Sequence, residues 1–285
     1  ALQHEGYDNK FLWHGMIFPQ DDDLRKEWFY RYKYFVEMWA KICEREGVEI
    51  LAVASEMNAL TATEPLDSLP SLLEYFSNLE KQVDHMSKIL NFEDVLQAEN
   101  LWVRGFDNYE DPKAYISDKV AAQKSWANIV CHTGQADSIQ AINKDRIYFE
   151  NTWRDIIKNT RQHYSGTLTM AANFDNYNEV TFWDELDCIG INAYFPLRTL
   201  RPERPSQDSL KSELIYGWDS ILNVVNTFKM NQGIPDHPIF FTELGYTPKQ
   251  DCTIEPWEGF GFSHISNPYI DTLLIWDKAP LDNNE

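Results

Sequence analysis

Amphipathic helical patterns alternate with short apolar runs along this chain. From Leu24 to Cys43, apolar residues recur at steps of three and four, which predicts a helix with one apolar face. The acidic residues 21–23 stand before it, where carboxylates interact favourably with the free N–H groups of a helix start, and Gly47 follows as a stop. The run Val48–Ser55 begins at once and predicts a strand, so this segment forms an αβ unit.

The same alternation continues to the end of the chain. Near-continuous apolar strands separated by amphipathic helices predict a parallel sheet covered by helices, within a single domain over residues 1–285. A βα connection usually needs only a few residues before its helix, so we interpret residues 62–134 as a helical insertion. Further helices are predicted over Leu66–Leu90, Lys113–Val130, Ile139 to about Tyr164 and Leu210–Phe228, and further strands over Thr167–Ala172, Cys188–Ala193 and Pro238–Thr242.

Polar or acidic residues follow four of the predicted strands. Glu56, Asn173, Tyr194 and Glu243 each stand where a strand ends. Enzymes built on (β/α)8 barrels keep their chemistry at that edge, so a TIM barrel is favoured over an open sheet. A single Glu after a strand is more often a solvated loop residue, but two such glutamates are typical of a glycosidase pair.

Composition narrows the function further. With 43% hydrophobic and 25% charged residues, a chain of 285 residues can bury one large core. The net charge of -20 disfavours nucleic acids and anionic membrane surfaces, which need clustered Lys and Arg, and fits a neutral or cationic ligand. Ten tryptophans suit stacking on sugar rings, although most aromatic side chains belong to cores. No apolar run reaches the length needed to span a membrane.

Cofactor and metal sites are not indicated. The sequence contains no glycine-rich nucleotide-binding motif, and its histidines are scattered. The cysteines, too, lack the spacing of a zinc site, so we predict free thiols and no metal, with one disulfide left open. The cysteines are Cys43, Cys131, Cys188 and Cys252.

Four segments together resemble glycoside hydrolase family 113. The resemblance covers roughly residues 11–60 and 136–260. It implies a retaining glycosidase of the TIM-barrel clan, acting mainly on β-1,4-mannan, with an acid/base on strand four and a nucleophile on strand seven. The segments are Ser55-Glu56-Met57, Asn173-Phe174, Asp187 to Leu197 and Thr242-Glu243-Leu244-Gly245-Tyr246.

The resemblance also suggests individual roles. Glu56 corresponds to the acid/base and Glu243 to the nucleophile. Independently of the resemblance, Gly245 just past Glu243 permits close backbone approach or a positive φ. Tyr194 is expected to orient the Glu243 carboxylate. The remaining candidates are the substrate-binding residues Asn58, Asn173 and Trp257. The indole ring of Trp257 is the candidate surface on which a sugar ring stacks.

The position of Glu56 raises a difficulty for a complete barrel. If Glu56 ends strand four, residues 1–55 must supply three βα units, each of roughly 30 residues. We therefore expect an incomplete barrel that lacks strands one to three. Strand eight is left open, with Thr272–Trp276 as an ambiguous candidate.

An alternative function follows from this expected truncation. The chain could be a non-catalytic carbohydrate-binding or scaffold protein derived from a glycosidase barrel. Ser55 also stands where the broader clan often has Asn, which weakens the assignment of mannan as substrate more than the assignment of the reaction.

A polysaccharide or oligosaccharide substrate favours an extracellular or periplasmic location, and the sequence leaves the oligomeric state open.

Overall fold

The computed structural model describes residues 12–69, 112–199, 206–246, 252–254, 256, 261–267 and 270–277. The chain divides into two compact units. The first unit comprises Ala1–Leu72, Ala122–Ala193 and Asn226–Glu243. The second comprises Leu73–Ala121, Tyr194–Val225 and Leu244–Glu285.

Helices and strands alternate through most of the described residues, as predicted. Three short 3₁₀ helices lie at His14–Met16, Tyr177–Glu179 and Trp183–Glu185. The longer elements are α1 (Asp22–Glu46), β1 (Ile50–Ser55), α2 (Asn58–Thr61), α3 (Pro112–Val130), α4 (Ser138–Arg161), β2 (Thr167–Asn173), β3 (Ile189–Asn192), α5 (Gln207–Asn231), β4 (Ile239–Glu243), β5 (Gly261–Asn267) and β6 (Ile270–Asp277).

A parallel sheet of four strands forms the framework of the first unit. Its strand order is β1-β2-β3-β4, and each neighbouring pair is parallel. The prediction of a parallel sheet is confirmed. Because parallel strands run in one direction, the carboxyl ends of all four strands meet at the same edge of the sheet.

Helix α1 begins and ends as the sequence predicts. The side chain of Asp21 accepts a hydrogen bond from the backbone N–H of Leu24 at 2.8 Å, which satisfies one of the free donors of the first turn. Gly47 closes the helix with φ of 67°, a left-handed conformation that favours glycine. The strand β1 starts three residues later, so these caps fix the position of its first residue.

Trp153 of α4 is the centre of the buried core. Its ring has no exposed surface and contacts Phe29 and Tyr32 of α1 edge-on, with centroids 5.6 Å apart in both pairs. Its indole N–H donates to the carbonyl of Leu60 in α2 at 2.8 Å. Tyr32 in turn donates its hydroxyl hydrogen to the carbonyl of Val53 in β1 at 2.9 Å. One aromatic cluster therefore fixes α1, α2, α4 and β1 together.

The structure departs from the sequence prediction in two places. Residues 66–69, predicted to begin a helix, are not helical, and residues 70–90 of that predicted helix lie outside the described part. The segment Thr272–Trp276 forms part of β6, which pairs antiparallel with β5 in a separate two-stranded sheet. Only residues 268 and 269 separate these strands, and a connection that short permits antiparallel but not parallel pairing.

Other expectations concern cysteines, membranes and the insertion. None of the four cysteines forms a disulfide, and all but Cys252 are buried, so the prediction of thiols rather than a disulfide is confirmed. Of the helices in the described ranges, none has the length and apolarity to cross a bilayer. Helix α3 falls inside the insertion predicted at 62–134, whose boundaries stay a prediction.

Asp187 joins the end of α4 to the start of β2. Its carboxylate pairs with Arg161 and accepts the backbone N–H of Leu168 at 2.7 Å, while Arg161 also donates to the carbonyl of Gly166 at 2.8 Å. Burial opposes the charged form, but the hydrogen bonds and the charge of Arg161 outweigh it and lower the pKa of Asp187.

We predict that Asp187→Asn lowers the free energy of unfolding by about 1 kcal/mol at pH 7, a value kept small because the carboxylate is partly exposed. Since the pKa of Asp187 is lower in the native state than in the unfolded state, the stabilisation is complete at neutral pH and is lost as pH falls below about 4. Urea unfolding at pH 7 and pH 3 measures this difference. Asp137→Asn, at an exposed aspartate without a side-chain capping bond, is the matched control. An equal loss for Asp187→Asn at both pH values would contradict the prediction.

Candidate active site

Glu56 follows directly after β1, in a strained backbone conformation. Ala52 pairs with Thr169 and Ser55 pairs with Ala171, so β1 carries one extra residue, a bulge, just before the glutamate. The N–H of Glu56 still donates to the carbonyl of Ala171 at 2.8 Å. Its φ of 48° is left-handed, which costs a residue with a side chain about 1–2 kcal/mol. Such strain persists where the surroundings fix it and clusters at functional sites.

Glu243 is the last residue of β4 and also follows a bulge. Phe241 pairs with Ile191 and Glu243 pairs with Asn192, which leaves Thr242 as the extra residue. Bulges are frequent at barrel rims and beside active sites, because they redirect the next side chain. The side chain of Glu243 is exposed.

Asn192 at the end of β3 connects these two positions. Its side chain is fully buried, and its amide nitrogen donates to Oε1 of Glu56 at 2.9 Å. Its amide oxygen accepts the hydroxyl hydrogen of Thr242 at 2.6 Å. A single side chain therefore links the Glu56 carboxyl to the residue that precedes Glu243.

The second carboxyl oxygen of Glu56 contacts a histidine. Nε2 of His14, in the 3₁₀ helix His14–Met16, lies 2.9 Å from Oε2 of Glu56. The Glu56 side chain is 17% exposed and that of His14 is 54% exposed. Both oxygens of Glu56 thus have a hydrogen-bond partner, one from the sheet and one from outside it.

A third carboxyl group, Asp175, lies near Glu56. Asn58 donates from its amide nitrogen to Oδ1 of Asp175 at 3.3 Å. Part of Asp175 faces solvent, yet protein atoms crowd its carboxyl, and this desolvation raises its pKa. The charges of Glu179 and Glu56 add to the rise, while hydrogen bonds from Asn58 and the backbone oppose it. Several carboxyl groups therefore share this end of the sheet.

The predicted substrate-binding residues fall in different places. Asn58 begins α2 and Asn173 ends β2, both in the first unit, and the side-chain oxygen of Asn173 accepts the N–H of Phe174 at 3.0 Å. Tyr194 belongs to the second unit, and Trp257 lies outside the described residues. The roles of all four stay predictions.

The close approach expected at Gly245 is confirmed. A Cβ atom added at this position would lie 2.9 Å from Cε1 of Tyr194, closer than ordinary van der Waals contact. The absence of a side chain at Gly245 therefore lets the ring of Tyr194 pack against the backbone.

Sequence reasoning missed four residues of this arrangement: His14, Asp175, Asn192 and Thr242. Asn192 had a detectable signal, because it is a polar residue within the otherwise apolar predicted strand Cys188–Ala193. His14 had none, since it is 42 positions from Glu56 in an irregular segment.

Comparison with known families assigns the chain. The model of glycoside hydrolase family 113 matches residues 80–267, which is more than half of the sequence. The chain belongs to glycoside hydrolase family 113. The matched residues include Glu243, Asn192 and Tyr194, whereas Glu56 and His14 precede the matched range.

Three solved structures of family 113 enzymes resemble the chain weakly. The β-mannanase AaManA from Alicyclobacillus acidocaldarius, solved in complex with ManMIm, has a TM-score of 0.43 and 16% identity, covering 86% of this chain and 46% of its own. Two β-1,4-mannanase structures have TM-scores of 0.40, with 19% and 18% identity, and cover 85% and 84% of this chain. The chain spans less than half the length of all three, at 46%, 46% and 44%. The curated proteins contain no match.

We predict that Thr242→Val destabilises the protein by about 1–3 kcal/mol, because it leaves the buried amide oxygen of Asn192 without its donor. Thr242→Ser keeps the hydroxyl and is the matched control, with a loss below about 1 kcal/mol. Chemical denaturation of both variants measures the difference. Equal stability of the Val and Ser variants would show that the hydroxyl does not support Asn192.

The strain at Glu56 gives a second prediction. Glu56→Gly and Glu56→Ala remove the same hydrogen bonds, but only glycine adopts a left-handed φ without steric cost. The Gly variant should therefore be about 0.5–1 kcal/mol more stable than the Ala variant, despite the greater flexibility of its unfolded chain. Thermal unfolding of the two proteins side by side tests this, and a more stable Ala variant would argue against a strained backbone.

Proposed function

We propose that the protein is a retaining glycoside hydrolase that cleaves β-1,4-linked mannan or a related β-glycan. Membership of family 113 supports the reaction class. The observation that carries the proposal is the Asn192 bridge, which joins the Glu56 carboxyl to the strand end that carries Glu243. Two carboxyl groups on one edge of a parallel sheet are the residue types that glycoside hydrolysis requires.

Glu243 is the proposed nucleophile and Glu56 the proposed acid/base. In the first step, a Glu243 oxygen bonds to the anomeric carbon, the glycosidic bond breaks, and the departing oxygen takes the proton of Glu56. In the second step, water gives a proton to Glu56, its oxygen bonds to the anomeric carbon, and the ester to Glu243 breaks. Retention by this route requires carboxyl groups about 5–5.5 Å apart.

The environments of the two glutamates suit different roles. Glu243 is exposed at the end of β4, as a group that attacks an incoming sugar has to be. Glu56 is mostly shielded, and hydrogen bonds to both of its oxygens hold the carboxyl in one orientation. A fixed orientation suits a group that transfers a proton along a defined direction.

The sheet is further proposed to be four successive strands of a (β/α)8 barrel. Strand order β1-β2-β3-β4 follows chain order, as in such barrels. Under this proposal β1 is barrel strand four and β4 is strand seven. That numbering gives Glu56 and Glu243 the acid/base and nucleophile positions expected from the family resemblance.

A neutral polysaccharide is the substrate class that fits the chain best. A net charge of -20 repels anionic polymers but not uncharged glycans. The similar solved structures are β-mannanases, which makes β-1,4-mannan the first substrate to test. Asn58 and Asn173 are the proposed contacts to sugar hydroxyl groups.

We predict that Glu243→Gln and Glu56→Gln each lower kcat on β-1,4-mannooligosaccharides by at least about 10²–10⁴-fold, because each replaces a reacting carboxyl with an amide of the same shape. Product release is followed by NMR, which also reports whether the first-formed sugar is the β-anomer. Glu46→Gln, the same change at the end of α1, is the matched control and should keep full activity.

Two results would contradict the proposed function. Unchanged turnover in Glu243→Gln would exclude Glu243 as the nucleophile. Binding of mannooligosaccharides by the unmodified protein without any cleavage would favour a non-catalytic carbohydrate-binding function. A first-formed α-anomer would leave the hydrolase assignment intact but exclude the retaining mechanism.

A further inference from the structure

We propose that His14 is a positioning residue for the acid/base, fixing the direction in which Glu56 delivers its proton; the inference rests on the proposed function. His14 lies outside the parallel sheet and outside the residues that match the family model. Its imidazole nevertheless makes a hydrogen bond to the Glu56 carboxyl.

The Asn192 bridge decides which oxygen of Glu56 carries the proton. Thr242 donates to the amide oxygen of Asn192, so the amide nitrogen is the atom that faces Glu56. A protonated carboxyl group has one carbonyl oxygen and one hydroxyl oxygen, and although both can accept an N–H, the carbonyl oxygen is the better acceptor. The fully buried amide of Asn192 has no water to turn to and takes the better acceptor, whereas the half-exposed imidazole of His14 can also bond to water. Oε1, 2.9 Å from that nitrogen, is therefore the carbonyl oxygen, and the proton resides on Oε2.

His14 contacts the oxygen that carries this proton. Its Nε2 lies 2.9 Å from Oε2 of Glu56. With a hydrogen on Nε2, the imidazole donates to one side of Oε2, which leaves the other side for the acidic proton and the glycosidic oxygen. When that proton moves to the leaving group, the same N–H donates to the carboxylate, and such charge-assisted bonds are stronger than neutral ones. His14 neither gains nor loses a proton in the cycle.

The position of His14 is fixed although its ring is half exposed. The ring of Trp13 packs edge-on against the imidazole, with centroids 5.0 Å apart. The same Trp13 ring leaves no room for a Cβ atom at Gly15. Trp126 of α3 donates its indole N–H to the carbonyl of Met16 at 2.6 Å. The 3₁₀ helix His14–Met16 is thereby tied to α3, and through His14 this contact supports Glu56.

Substrates with different leaving groups separate this role from simple packing. A general acid matters for a sugar leaving group but little for an activated aryl leaving group such as 2,4-dinitrophenolate, which departs without a proton. His14→Ala should therefore lower kcat/KM for mannooligosaccharides by about 10–100-fold and change that for 2,4-dinitrophenyl β-mannoside less than about threefold. His14→Gln, whose amide N–H can take the place of Nε2–H, should recover most of the loss.

Two further variants calibrate the experiment. Glu56→Gln should show the same dependence on leaving group, but larger, because it removes the acid itself. Trp126→Phe keeps an aromatic ring but removes the donor to Met16. It should lower kcat/KM for mannooligosaccharides selectively, but less than His14→Ala does. Circular dichroism and melting temperature of each variant show whether it is folded.

The outcomes are distinguishable. One outcome is that the unmodified protein cleaves both substrates while His14→Ala keeps its kcat/KM on both or loses it on both to the same extent. That result overturns the role of His14 and leaves the proposed function standing. If the unmodified protein cleaves neither substrate, the proposed function fails and this inference fails with it. A selective loss on the oligosaccharide, restored by Gln, establishes His14 as a positioning residue.

Discussion

Asn192 is fully buried in β3, so both ends of its amide group have to find hydrogen-bond partners within the protein. The partners come from the two outer strands of the sheet: the carboxyl of Glu56 after β1 and the hydroxyl of Thr242 in β4. A shift of either strand end would leave a buried polar atom unsatisfied. This constraint fixes the register of the site, and the remaining features of the site are arranged around it.

The backbone near the two glutamates is irregular, and the core explains why it stays so. The left-handed φ of Glu56 is unfavourable by itself and persists only if its neighbours are held in place. Before Glu56, the carbonyl of Val53 is bonded to the buried Tyr32, and after it the carbonyl of Leu60 is bonded to the buried Trp153. Both aromatic residues belong to one cluster, so the packing of α1 and α4 holds the backbone on both sides of Glu56.

Sequence reasoning recovered the framework because its signals are local. The caps of α1, the apolar strands and the glutamates at the ends of β1 and β4 can all be recognised from neighbouring residues. The missed contacts are long-range: His14 and Asn192 reach Glu56 from 42 and 136 positions away. The pairing of β6 was also missed, because an apolar run predicts a strand but does not identify its partner.

The site therefore combines two kinds of support for Glu56. Oε1 is held by a buried amide from the sheet, which any change of fold would disturb. Oε2 is held by a half-exposed imidazole from an irregular segment, anchored by Trp126 of α3. Because loops tolerate substitution better than sheets do, the second support can change without disturbing Asn192 or the β4 bulge. The contacts of the Glu56 carboxyl can thus change separately from the strand that carries Glu243.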